Sequence, residues 1–408
     1  MDQLALLGGK PAKTSDFPVW PQYDEKEEKA LMEVLHSGVW WRTPGTRTLQ
    51  FEQEFAEYQQ AKYGIACTNG TAAIEIVMAA LEIGPGDEVI VPDYTFVATA
   101  SAVLFAGALP VMVDIDPETY CIDPAKVEAA ITGRTKAIIA VHVAGHPADL
   151  DALQEIAKKY NLHLIEDSAH AHGSEWRGHK VGSIGCAGTF SFQASKLMTA
   201  GEGGMIITNN SELEVRLRSV HDCGRMPGEW FYSHFIYGSN YRLSEWQGAV
   251  LSQQLSRLDD QAAVRSRNAA YLNRELAKID GITPQKLDNR CTRHGQYCYI
   301  FRYNRDNFHG VSTEKFIEAL NAEGIPTQAS YPPVRKLDIF TSGEYCKRLA
   351  PDHAAEQHAF LSTEMPHSDR AAEETVWLVH RALLGSEQDS AEIVEAVCKI
   401  QRNAAELV

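Results

Sequence analysis

From about residue 45 to 255, short apolar runs alternate with stretches whose apolar residues recur at helical spacing, the pattern of a mostly parallel sheet with helices on both faces. The strand candidates are Glu88–Val91, Leu109–Asp114, Lys136–His142, His163–Glu166, Thr189–Phe192 and Gly204–Thr208. Several are apolar on both faces, as strands buried between helix layers are. Among the helices, Leu150, Leu153, Ile156 and Ala157 line one face after Asp149, whose carboxylate can cap the first turn. Ala72–Leu81 stops at Gly84-Pro85-Gly86. Helices are also expected over Leu243–Leu258 and Ala262–Ile279, with a break at Asp280-Gly281-Ile282-Thr283-Pro284. Beyond them lie a strand at Gln296–Arg302, a helix at 313–323 and a terminal helix from Ser390, while 335–375 carries no clear pattern. The fold class is therefore α/β, with an N-terminal segment and large domain over 1–260 and a smaller α+β domain over 261–408.

Composition narrows the function. The chain has 408 residues, 44% of them hydrophobic, and a net charge of −16, so it lacks the basic surface that nucleic acid binding requires. No apolar run reaches membrane-spanning length, and the N-terminus has no basic region followed by an apolar one. A cytoplasmic protein is expected. Its eight cysteines form no Cys-x-x-Cys pair, which favours free thiols. No metal is expected, because His142, His170 and His172 have no cysteine or carboxylate at a zinc-like spacing.

Two strand-end loops carry the chemistry. Lys196 lies in a run that ends in Gly201, Gly203 and Gly204, and Asp167 ends the apolar run His163–Glu166. A lysine amine can form a Schiff base with an aldehyde cofactor, and a fixed carboxylate can keep a pyridine nitrogen protonated. Together they read as a pyridoxal 5′-phosphate (PLP) site. Taken singly, Lys196 would most often be a solvated surface lysine, and Asp167 could equally be a helix cap.

Neighbouring segments suit the same cofactor. Asn69-Gly70-Thr71 opens a helix, where backbone N–H groups and the dipole favour an anion such as a phosphate; a simple cap is the alternative. The two-residue period of a strand puts Thr189, Ser191 and Gln193 on one face, where Ser191 and Gln193 can contact the phosphate, and Phe190 and Phe192 on the other. His170 can meet the cofactor's ring hydroxyl or be structural. Phe96 or Tyr94 can stack on the ring, or either can be core.

These segments, in order, resemble the DegT/DnrJ/EryC1/StrS sugar aminotransferase family within the fold type I PLP enzymes. The marks are Thr68–Thr71, Pro92–Phe96, Glu166–His170, Phe190–Lys196 with Ala200–Gly204, and Gly238–Ser244. The resemblance implies that Lys196 carries PLP as a Schiff base and Asp167 pairs with the pyridine nitrogen. It also implies that Phe96 stacks on the ring, and that Gly70, Thr71 and Ser191 hold the phosphate. Asn240 is implied to reach the phosphate in a neighbouring subunit, which makes a homodimer with shared sites. Position 170 is histidine where many relatives carry glutamine, and Gln193 stands where some carry histidine. A lysine at 196 argues against the family's dehydratase branch, so ping-pong transamination through pyridoxamine 5′-phosphate is implied.

Four further segments, Phe17–Tyr23, Gly38–Arg42, Cys223–Arg225 and Val379–Arg381, are similar to the cyclitol branch. That branch includes glutamine:scyllo-inosose and 2-deoxy-scyllo-inosose aminotransferases and 3-amino-5-hydroxybenzoate synthases. The expectation is a keto-cyclitol acceptor such as scyllo-inosose, with L-glutamine or L-glutamate as donor, in aminocyclitol or antibiotic-type biosynthesis. Arg42 and Arg225 are candidates to clamp the donor carboxylate, or are ordinary surface arginines. The alternatives are an aminohydroxybenzoate synthase, an enzyme of nucleotide-linked keto-sugars and, more distantly, a non-catalytic PLP-binding regulator.

Overall fold

A computed structural model describes residues 3–226, 228–344 and 363–408. Seven strands form the central sheet: β1 (Tyr63–Cys67), β2 (Glu88–Pro92), β3 (Leu109–Val113), β4 (Thr135–Val141), β5 (His163–Asp167), β8 (Ala187–Ser191) and β9 (Gly204–Thr208). Between β5 and β8 lies a short hairpin, β6 (Glu175–Trp176) and β7 (His179–Lys180). The sheet order is β1-β9-β8-β5-β4-β2-β3, and only β9 runs against the others. Parallel neighbours need crossovers, which helices such as Leu150–Tyr160 supply, whereas β8 and β9 are joined by the loop that carries Lys196.

The six strand candidates of this sheet are present within one or two residues. Strand β1 had no forecast: it holds only Ile65, Ala66 and Cys67 as an apolar run, and Gly64 interrupts it. Asp149 caps its helix, accepting from Ala152 N–H at 3.2 Å. The terminal helix starts earlier than expected, at Glu387, because Ser386 and Asp389 form a reciprocal capping box.

A second sheet has the order β10-β12-β14-β13, from β10 (Ile282–Pro284), β12 (Cys298–Tyr303), β13 (Thr327–Ala329) and β14 (Thr375–Val379). The remaining strand, β11 (Cys291–Arg293), pairs with β6. Strand alternation divides the second sheet between two cores: Tyr299, Phe301, Val376 and Leu378 pack in one, while Ile300 and Trp377 join the core of the central sheet. Leu4 and Phe17 also pack in the second core, so the start of the chain crosses to that side. Position 260 falls inside the helix Leu258–Leu276. Of the stretch 335–375 that lacked a pattern, residues 345–362, Cys346 among them, lie outside the described residues; Pro366–Glu374 is a helix running straight into β14. No described helix is long and apolar enough to cross a membrane.

Candidate active site

A cavity of about 650 Å³ opens at the C-terminal ends of three parallel strands, and Val141 of β4, Asp167 of β5 and Ser191 of β8 line it. This is where open α/β sheets place ligands, because strand ends and helix starts converge there. Lys196, Gly70, Thr71, Phe96, His170 and Gln193 line it too, so the cavity gathers most of the predicted site residues, Asp167 and Ser191 included.

Asp167 is buried, and one carboxylate oxygen accepts the Thr99 hydroxyl at 2.8 Å, the other the Ala169 N–H at 3.2 Å. Burial nonetheless raises its pKa, the two hydrogen bonds and Lys196 only partly opposing it. Burial also brings the Lys196 amine down to about 8, with the Asp167 charge pulling the other way. A lysine so placed keeps a sizeable unprotonated fraction near neutrality, which a nucleophilic amine needs.

The helix Gly70–Ala80 starts at the cavity wall with Asn69 as its cap, the side chain accepting from Ala72 N–H at 2.8 Å. The first N–H groups of a helix have no acceptor within it, so those of Gly70 and Thr71 are available to an anion. Close packing shapes the cradle. A Cβ on Gly70 would lie 2.8 Å from Cβ of Ser191, and one on Gly204 only 2.3 Å from the Asn69 carbonyl. Thus the cap reading and the anion reading of Asn69-Gly70-Thr71 hold together, on different groups.

Of the two stacking candidates, Tyr94 is fully buried, its hydroxyl 2.9 Å from that of Thr375 and accepting from Trp377 Nε1 at 3.2 Å. Phe96 is 53% exposed and lies in the cavity. His170 stacks on Tyr297 at 4.1 Å and 16°, with Nε2 3.2 Å from the Tyr331 hydroxyl. Tyr297 lies under the Lys196 amine, 4.5 Å from ring centre to nitrogen. Phe190 and Phe192 pack edge-on against Phe55 in the core, leaving the polar face of β8 to the cavity. The side-chain oxygen of Gln193 accepts the Ser195 N–H at 2.8 Å, which shapes the loop before Lys196.

Three predicted residues are not among those lining the cavity. Arg42 is buried against Glu52, one nitrogen 2.8 Å from both carboxylate oxygens. Arg225 pairs with Asp222 at 2.9 Å and donates to the Phe231 carbonyl. Asn240 is exposed on the loop before the helix Glu245–Ser256. Thr99, Glu75, Tyr297, Gln328 and Tyr331 went unforeseen. Thr99 alone had a signal, its spacing of four from Thr95, which stacks the two hydroxyls at 3.0 Å. Among the described residues no cluster of three His, Cys, Asp or Glu side chains could hold a metal ion. His142 instead lies 3.0 Å from Glu166.

An exposed aromatic face, an N–H cradle and a buried carboxylate opposite an amine together fit a flat, nitrogen-containing ring with an anionic tail. The model of the DegT/DnrJ/EryC1/StrS aminotransferase family matches residues 21–398. The chain is 40% identical to the 3-amino-5-hydroxybenzoate synthase of Amycolatopsis mediterranei (strain S699), covering 94% of this chain and 97% of that one. It is also 40% identical to the L-glutamine:2-deoxy-scyllo-inosose aminotransferase of Streptoalloteichus tenebrarius, over 99% of each. The crystal structure of a 3-amino-5-hydroxybenzoic acid synthase superposes with a TM-score of 0.87 at 39% identity, over 95% of this chain and 99% of that one.

Proposed function

The chain belongs to the DegT/DnrJ/EryC1/StrS aminotransferase family, and from that premise we propose that it is a PLP-dependent enzyme moving the amino group of L-glutamine, or L-glutamate, onto a keto-cyclitol such as scyllo-inosose. The observation that carries this reading is Lys196 and Asp167 meeting in one cavity beside an anion cradle. PLP, when bound, supplies an aldehyde that amines condense with and a ring that draws electrons from the carbon bearing the amine.

The residues divide the work. Asp167, steadied by Thr99, would hold the proton on the ring nitrogen; Phe96 would cover one ring face; Gly70 and Thr71 N–H and the Ser191 hydroxyl would hold the phosphate; His170 would meet the ring hydroxyl and Gln193 would shape the phosphate side. The Lys196 amine, brought down to about 8 by burial, is the group that would hold the cofactor's aldehyde and, when free, could take and return a proton at the donor Cα. Donor and acceptor use the site in turn, which makes the kinetics ping-pong.

The acceptor class follows from charge. Glu75, Asp167 and Glu202 line the cavity, and among its described residues Lys196 is the only cation. A diphosphate-linked sugar would meet net repulsion there, whereas the hydroxyls of an uncharged polyol can donate to carboxylates. A homodimer completes the site: Asn240 is exposed, and exposed aromatics Trp230, Phe231, Tyr232, Phe235 and Tyr237 precede it, a patch that a partner subunit would cover. We place the enzyme in the cytoplasm, where its seven described cysteines, all free, stay reduced.

Incubation with L-glutamine and scyllo-inosose should yield an aminocyclitol, and borohydride should fix the cofactor to the peptide containing Lys196. Turnover only with nucleotide-linked sugars, or label elsewhere, defeats the reading. The similarity to 3-amino-5-hydroxybenzoate synthase supports a second reading, for which an aromatic amine product would be the sign.

A further inference from the structure

Two segments from opposite ends of the chain, Phe17–Tyr23 and Val379–Arg381, have no part in the chemistry so far, and they meet beside Lys196. Trp20 Nε1–H donates to the Ala194 carbonyl at 2.9 Å, and His380 Nε2 lies 3.1 Å from the Ser195 carbonyl. These are the two carbonyls immediately before Lys196. The Trp20 and His380 rings meet edge to face, 4.5 Å apart at 88°. A carbonyl only accepts, so His380 carries its proton on Nε2. Burial, and then the nearby Arg265 guanidinium, bring His380 down to about 3, which keeps the ring neutral.

The same short turn is held from the other side. Ser195 Oγ lies 3.1 Å from the Tyr297 hydroxyl, and the Tyr297 ring stacks toward His380 at 6.2 Å and 24° while its face carries the Lys196 amine. Neither Trp20 nor His380 is among the residues that line the cavity, so each acts through the backbone. Solvent could satisfy the Ala194 and Ser195 carbonyls, since both residues are exposed, so the two donors serve to fix direction.

We propose that Trp20 and His380 are positioning residues that clamp the Ala194–Ser195 turn and thereby aim the Lys196 amine, coupling the N-terminal segment and the second sheet's C-terminal flank to the reacting group. The inference rests on Lys196 being the cofactor-bearing amine. A misaimed amine should slow proton transfer by about tenfold to a hundredfold and leave donor binding nearly untouched.

The test uses the holoenzyme. Trp20→Phe keeps a ring but removes the N–H, His380→Phe does the same, and His380→Gln restores an N–H close to the position of Nε2. The readouts are kcat and KM for the amino donor, the pH midpoint of the cofactor's visible absorbance, and the thermal midpoint. Both Phe variants should lose about tenfold or more in kcat with donor KM within about twofold, should shift the absorbance midpoint by about half a pH unit or more, and His380→Gln should recover most of both. A wild-type absorbance midpoint in both Phe variants, or a kcat loss that follows thermal stability alone, overturns the proposal. Should His380→Phe not fold, Trp20→Phe decides by the same readouts. Borohydride labelling of the wild type separates the two levels: label absent from the Lys196 peptide refutes the cofactor reading, while label present with unaltered variants refutes only the clamp.

Discussion

Glu166 and Asp167 are adjacent on β5, and their carboxylates face opposite ways. That of Glu166 takes His142 Nε2 at 3.0 Å and the N–H groups of Gly182, Ile184 and Gly185 at 2.6 to 2.8 Å, whereas that of Asp167 lines the cavity with Thr99. The two-residue period of the strand causes the division. Three N–H donors tie Glu166 to the loop that enters β8 and His142 ties it to the end of β4, so the strand ends bearing Asp167 and Ser191 are held at a set separation. One carboxylate is structural support and its neighbour faces the cavity.

Substitutions at these two positions should therefore part company. Glu166→Gln turns one acceptor oxygen into a donor facing other donors, and should cost about 2 to 4 kcal/mol in chemical denaturation of the apoprotein. Asp167→Asn should leave apoprotein stability at pH 7 unchanged or slightly raised. The sign follows from burial: the native pKa of Asp167 lies above its unfolded value, so its ionised form weakens the fold as pH rises through that window. Turnover in Asp167→Asn should nevertheless fall by about a thousandfold, because an amide cannot hold the ring nitrogen protonated.

Lys196 gives a pH signature that needs no cofactor. Its native pKa, about 8, lies below the ordinary 10.5, so between those pH values the unfolded chain binds more protons than the native one. Stability should rise with pH across that window. In Lys196→Met this slope should vanish, and the variant should be more stable than wild type at pH 7, because each tenfold weakening of the native state's hold on the proton costs about 1.4 kcal/mol of stability there. Urea denaturation of both apoproteins at pH 7, 8, 9 and 10 measures the difference; parallel curves would remove the lowered Lys196 pKa from the account.

Gly70→Ala sets two effects against each other. Alanine favours a helix over glycine by up to about 1 kcal/mol, but the new Cβ would lie 2.8 Å from Cβ of Ser191, and overpacking typically costs about 1 to 3 kcal/mol. The clash should win. The apoprotein should fold with a slightly lowered midpoint, and PLP affinity, read by titrating the visible absorbance, should weaken about tenfold or more because Ser191 is pushed out of the cradle.

Much of this site was legible because its residues sit at the ends of apolar runs with strong local signals: Asp167 after His163–Glu166, Ser191 on the polar face of β8, and Gly70 and Thr71 at a capped helix start. What was hidden depends on contacts across long stretches of chain. Phe96 and Tyr94 are equal candidates until Thr375 and Trp377 are seen to claim the Tyr94 hydroxyl. Tyr331 reaches His170 across 161 positions, and no periodicity foretells it. Strand β14 follows a helix without a Gly or Pro between them, so no breaker marked its start.

Arg42 is where the two levels of reading give opposite predictions. As a clamp for the donor carboxylate, its loss would forfeit a charge-assisted pair and raise donor KM by about tenfold or more. In the fold its guanidinium is buried on Glu52, which also accepts the Ala66 N–H at 2.9 Å and Arg218 at 3.0 Å. Removing Arg42 leaves a buried carboxylate with one cation in place of two, so the cost should fall below the roughly 3 to 5 kcal/mol typical of an orphaned buried charge, at about 2 kcal/mol. Arg42→Met should thus lower the denaturation midpoint while donor KM stays within about twofold of wild type. Glu52→Gln should separate the roles further, since it weakens the same structural contact while leaving the Arg42 guanidinium in place. A donor KM raised in Arg42→Met but not in Glu52→Gln would return Arg42 to the donor site, and a partner subunit's cavity would then be the place to look for it.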